Sequence, residues 1–103
     1  MQILFQAHHA VISEHMRLRA ERIVRKLARR LKRAVDAIVR FETDGKVRVV
    51  ELIFNAPGKK SIVAKGTARN YGPALADAAA RMDTQLRRLK RTPAERGRAV
   101  SRV

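Results

Sequence analysis

Residues 14–33 read EHMRLRAERIVRKLARRLKR, and the fold turns on how this stretch is patterned and on the change of period at either end of it. Met16, Ala20, Ile23, Val24, Leu27 and Leu31 recur at three- and four-residue spacing, the period of one helix face. At about 100° per residue, Arg22, Lys26, Arg29 and Arg33 fall on the opposite side. Nine of the twenty residues are Lys or Arg, against only Glu14 and Glu21. Like charges at i,i+4 repel by roughly 0.2–0.5 kcal/mol per pair, so the row weakens the isolated helix. A polyanionic partner is the obvious reason to carry it.

On either side of this helix the period becomes two. Upstream, Ile3, Phe5 and Ala7 alternate with Gln2, Leu4 and Gln6, which predicts a half-buried strand over residues 1–7. His8 and His9 fall in the connection, and Ser13 is a suitable N-cap with Glu14 beside the helix's positive end. Downstream, Ala37, Val39 and Phe41 oppose Ile38, Arg40 and Glu42 in a second strand. Asp44-Gly45 between two alternating runs predicts a hairpin with a type I′ turn. The third strand, residues 46–55, can face either way. Val50, Leu52 and Phe54 form one apolar set and Val47, Val49 and Ile53 another, and a bulge near Val49–Val50 would reconcile them.

Ala56-Pro57-Gly58 is a turn with Pro and Gly at its central positions, and strand four occupies residues 60–69. Its side with Ile62, Ala64, Gly66 and Ala68 is small enough to let a helix approach closely. Gly72-Pro73 opens the last helix, whose stripe is Leu75, Ala78, Ala79, Met82, Leu86 and Leu89. Arg81 and Arg88 lie on its far side, with Arg87, Lys90 and Arg91 flanking. Residues 92–103 have little to bury and are expected to form a flexible basic tail, leaving residues 1–91 as the folded domain. The order β-α-β-β-β-α predicts an α+β, two-layer sandwich. It should have a four-stranded mixed sheet with strands one and two parallel, and both helices on one face.

Composition narrows the chemistry. The 103 residues suffice for one domain that buries roughly two-thirds of its unfolded surface. Cysteine is absent, which excludes thiol nucleophiles, thiolate metal sites and disulfides. No basic leader and no apolar run of about 18 residues occurs, so a cytoplasmic chain is expected. Ser13, Ser61 and Ser101 stand in no nucleophile motif, no glycine-rich phosphate loop is present, and Glu42, Asp44 and Glu51 read as surface carboxylates. Paired histidines without a carboxylate at ligand spacing do not make a metal site. Neither an enzyme nor a cofactor is expected.

The formal charge of +15 points to nucleic acid or an anionic membrane. Trp is absent and no Phe lies in either helix, which disfavours a membrane surface. Four aromatics in all make a poor stacking platform, so phosphate contact and shape recognition are expected. The candidate RNA-binding residues are Arg22, Lys26, Arg29, Arg33, Arg81, Arg87, Arg88, Lys90 and Arg91.

The same residues carry a resemblance. The opening Met1-Gln2-Ile3, the loop at residues 8–9, and Ser13-Glu14 with Arg17 beyond are similar to the start of the ribosome hibernation promoting factor family, "MQI…T-E-A-L-R". That family includes the ribosome-associated inhibitor and sigma-54 modulation proteins. Lys26-Leu27 resembles its "K-L". Residues 81–90, RMDTQLRRLK, resemble its "D-K-L-E-R-Q-L-R-K-Y-K". Asn70-Tyr71-Gly72 stands where the family usually has Asp-Met-Tyr; Ala76 replaces an acidic residue and Thr84 a basic one. The likeness spans about residues 1–91 and carries over Lys26, Arg81, Arg87, Arg88 and Lys90. It implies a double-stranded-RNA-binding-domain-like fold, monomeric off the ribosome. Such a protein would bind the small ribosomal subunit and its rRNA at the decoding cleft, blocking mRNA and tRNA under stress or in stationary phase. It would take no small-molecule substrate. A generic double-stranded-RNA binder or RNA chaperone is the alternative.

Overall fold

The alternating and helical runs fold as β1 (Ile3–His8), α1 (Glu14–Ala28), β2 (Asp36–Asp44), β3 (Val47–Asn55), β4 (Ile62–Ala68) and α2 (Tyr71–Arg102). The computed structural model describes residues 1–31, 36–56, 58 and 60–102, with side chains as far as residue 89. The strands form one sheet in the order β1-β2-β3-β4. β1 and β2 run parallel, as a strand–helix–strand crossover requires, and the other two pairings are antiparallel. The expected mixed sheet and α+β architecture are thus present.

Alternation sets the core. Ala37, Val39 and Phe41 of β2, Val50, Leu52 and Phe54 of β3, and Ala64 of β4 turn to one side. There they meet Ala20, Val24 and Leu27 of α1 and Ala74, Leu75, Ala78, Met82 and Leu86 of α2 in a single cluster. Both helices therefore lie on one face. Burying each Val, Leu, Phe or Met side chain contributes about 1.5–3 kcal/mol. No polar or charged residue is buried among the described residues.

At Gly66 the sheet and α2 nearly touch. A Cβ added there would run into the Ala74 carbonyl and the Ala78 amide, so the small row of β4 fixes how closely α2 packs. Two side chains of α2 also cover the outer edge of β4. Gln85 Nε2 donates to the Val63 carbonyl at 2.7 Å, and Asp77 Oδ2 accepts from Thr67 N–H at 3.3 Å. Edge coverage of this kind prevents strand addition.

Four local expectations change. α1 ends at Ala28 with Arg29 as C-cap, short of Arg33. Arg29, Arg30 and Leu31 donate to Lys26, Leu27 and Ala28 at 3.3, 3.1 and 3.0 Å. This i→i+3 tightening ends the helix and lets Leu31 reach the core. β3 needs no bulge, because its ladder with β2 runs unbroken from Asp36↔Asn55 to Asp44↔Val47. Val50, Leu52 and Phe54 face the core, and the second apolar set lies on the open face. The hairpin turn centres on Gly45-Lys46 rather than Asp44-Gly45. Gly45 alone has a positive φ of 60°, the pattern of a type II′ turn. Finally, α2 starts at Tyr71 and continues past Arg91 to Arg102; Ala94, Glu95, Arg96 and Ala99 are good helix formers. Leu89, placed on the apolar stripe by its spacing, is 49% exposed.

Candidate nucleic-acid interface

α1 is held at its start by Ser13, whose Oγ accepts from Met16 N–H at 3.1 Å, and by the Glu14–Arg17 ion pair one residue on. The Arg17 hydrogen bond keeps the Glu14 carboxyl below its usual range, with burial opposing and the Arg17 charge adding to the effect. The buried stripe fixes the rotation of the helix, so Arg22, Lys26 and Arg29 point to solvent. None of these three has an ion-pair partner among the described residues. Arg25, on the same side, reaches Glu21 at 3.5 Å.

The tightened end of α1 has a second consequence. It aims Arg30 at α2, where Arg30 Nε lies 2.7 Å from Asp83 Oδ1. The other oxygen of Asp83 takes Arg87 Nε at 3.0 Å. One carboxylate thus ties a guanidinium from the turn that ends α1 to one from α2 and links the two polar faces. A turn further back, Arg81 pairs with Asp77 at 3.2 Å. Arg88 is exposed. These pairs are solvent-facing and each contributes at most about 1 kcal/mol; they decide less how the fold holds than which positive charge remains available. The side chains of Arg33, Lys90 and Arg91 lie outside the described residues.

A further group gathers where α2 begins. The Tyr71 hydroxyl hydrogen-bonds Thr43 Oγ1 at 2.8 Å, and its ring meets Phe41 edge-on at 5.6 Å between centroids. The Arg48 guanidinium lies 5.9 Å from the Tyr71 ring centroid. Arg19 reaches the same corner: its Nη1 is 3.3 Å from where a Cβ on Gly72 would stand. The Asn70-Tyr71-Gly72 run therefore docks the start of α2 onto β2 while leaving room for an arginine. Sequence reasoning missed Arg19, Arg30 and Arg48. Arg30 lies in the turn past Ala28, where the helical plot of residues 14–33 no longer holds, and Arg48 lies on a strand.

Elsewhere the polar groups have structural tasks. Ser61 hydrogen-bonds Asn55, and the His8 and His9 rings meet edge-on at 4.3 Å. Among the described residues, no group of three or more His, Asp or Glu side chains is arranged to hold a metal ion. No described helix is long and apolar enough to cross a membrane.

Comparison with known proteins adds to this geometry. The model of the family described as "Sigma 54 modulation protein / S30EA ribosomal protein" matches residues 3–92. No curated protein sequence matches. Among solved structures, the N-terminal domain of Protein Y from Thermus thermophilus superposes with a TM-score of 0.74 at 22% identity, covering 86% of this chain and 99% of that one. A ribosomal subunit interface protein from Coxiella burnetii gives 0.69 at 18% identity, covering 87% and 98%. At these identities the likeness establishes the shared fold.

Proposed function

The chain belongs to the sigma-54 modulation protein / S30EA ribosomal protein family, and on that premise we propose that it is a ribosome hibernation factor. In this reading it binds the small ribosomal subunit at the decoding cleft, occludes mRNA and tRNA, and silences translation under stress or in stationary phase. It acts by steric block in the cytoplasm, as a monomer, with no reaction catalysed. The observation that carries the reading is the cationic face joined through Arg30–Asp83–Arg87, beside Arg22, Lys26 and Arg29, which pair with no acid among the described residues. Its charges suit rRNA phosphates, and the helix layer offers no aromatic platform on which single-stranded bases would stack. Arg33, Lys90 and Arg91 are proposed as further RNA-binding residues from their sequence positions, and residues 92–103 are proposed to be dispensable for folding.

Co-sedimentation with purified small ribosomal subunits over a salt series tests this. Binding should weaken with a slope of log affinity on log salt of about −0.7 to −0.9 per phosphate neutralised. Lys26→Glu with Arg88→Glu should abolish co-sedimentation and translation inhibition while the domain stays folded. Arg98→Glu with Arg102→Glu, the same change in net charge, should retain most of both. Equal losses in the two double variants would mean that bulk charge, not the helix face, does the binding. Equal affinity for free duplex RNA and for subunits would favour the generic RNA-binding alternative.

A further inference from the structure

The open face of the sheet has a chemistry opposite to that of the helix layer. Its side chains are set by the strand registers. Asp36, Ile38, Arg40, Glu42 and Asp44 come from β2, Val47, Val49, Glu51, Ile53 and Asn55 from β3, with Leu4, Gln6 and His8 at one edge and Val63, Lys65 and Thr67 at the other. Four carboxylates here meet two cations, Arg40 and Lys65. The rest of the chain therefore holds 22 of the 24 Lys and Arg and only five of the nine acids. On this face Arg40 is already engaged, donating to Glu51 at 2.9 Å and to Gln6 at 3.0 Å. Glu42 and Asp44 have no cationic partner among the described residues.

An aliphatic row crosses the same face. Leu4 pairs with Ile38, Ile38 with Ile53 and Ile53 with Val63, so all four strands contribute. The outer face of a one-sided sheet is ordinarily polar. Cross-strand contact accounts for the two central isoleucines. It does not account for Leu4 and Val63, which end the row at 52% and 41% exposure. Close to the row, an open hollow of about 450 Å³ is lined by Gln6, Ala7, His8, Arg40 and Glu42.

We propose that this face is a protein-docking surface for a lysine- or arginine-rich segment carrying aliphatic side chains, with the aliphatic row as its seat and Glu42 and Asp44 as its ion-pair partners. The hollow beside Glu42 takes one of the cationic side chains. Charge complementarity selects this occupant. An RNA backbone would meet a net negative surface, and a second copy would bring its own carboxylates against these. The helix cations stand on the far side of a helix layer about 10 Å thick, beyond the Debye length of about 8 Å at physiological salt, so through the solvent they are largely screened at this face. The proposal rests on the ribosome-binding reading only in that a domain engaged through its helices leaves this face free for a second partner.

The test is a titration of the isotopically labelled chain with an eight-residue peptide alternating lysine and valine, read by amide NMR. Shifts should cluster at Leu4, Ile38, Arg40, Glu42, Ile53 and Val63 and spare α1 and α2. Glu42→Gln with Asp44→Asn should weaken binding about fivefold, as should Leu4→Gln with Val63→Thr, without loss of the folded spectrum. A duplex RNA should instead shift α1 and α2. Three results would overturn the proposal: no peptide binding at millimolar concentration, peptide shifts centred elsewhere, or RNA shifts on the sheet as large as those on the helices. Concentration-dependent shifts of this face without peptide would assign it to a second copy and overturn it too. Failure of subunit co-sedimentation would count against the function proposed above and leave the peptide result standing.

Discussion

The two helices share a layer, an apolar stripe and a cationic outer face, yet they do different work. α2 is the anchor. It buries Ala74, Leu75, Ala78, Met82 and Leu86, closes over Gly66 and covers the edge of β4 with Asp77 and Gln85. Two of its arginines, Arg81 and Arg87, are answered by its own Asp77 and Asp83. α1 buries only Ala20, Val24 and Leu27 fully, and Arg22, Lys26 and Arg29 beside them meet no acid among the described residues. The lesson is that a count of cations overstates both helices, since Glu14 and Glu21 likewise answer Arg17 and Arg25 on α1. The charge a partner meets is what remains after the carboxylates within reach have been satisfied.

The contrast can be broken most forcefully at Gly66. Gly66→Val should force α2 off the sheet and cost about 3 kcal/mol in urea unfolding, the upper range for overpacking. A cost below about 1 kcal/mol would mean that α2 is not clamped there. Next, charge reversal should separate the helices by what it changes. Arg22→Glu with Lys26→Glu should weaken subunit binding about tenfold or more and leave stability within about 0.5 kcal/mol. Arg81→Glu with Arg87→Glu should weaken binding less but lower the melting temperature, because each new carboxylate faces Asp77 or Asp83. The opposite ranking in binding would make α2 the presenting helix. Truncation after Arg91 should move the melting temperature by no more than a few degrees, measured by calorimetry, although α2 continues to Arg102.

The smallest effect concerns acid. Glu14 has a lowered pKa in the folded chain because Arg17 hydrogen-bonds its charged form. Its contribution is therefore present above the usual value of 4.5 and is lost as pH falls through that value and below. Glu14→Gln should remove this small contribution at pH 7 and change little at pH 3, so that the acid side of the stability profile flattens slightly. Unfolding curves at the two pH values make the comparison, and a larger loss at pH 3 than at pH 7 would contradict it.

Much of this was written locally. The alternation of residues 37–42, the helical spacing from Met16 to Leu27, the Ser13 cap and the small row through Gly66 specify elements, faces and order from near neighbours alone. The polar faces of both helices come from the same periods, so Arg22, Lys26, Arg29, Arg81 and Arg88 could be named without coordinates. Tertiary structure decided the rest. Whether β3 turned Val50 or Val49 inward depended on pairing with both β2 and β4, since each of its faces is apolar enough to be buried. The end of α1 depended on the tightened turn at residues 29–31, which carried Arg30 to Asp83. Ion pairing between elements has no period, because it depends on distances closed only when the helices settle on one sheet. The sequence alone therefore determined where positive charge could stand, and packing decided which of it was left for a partner.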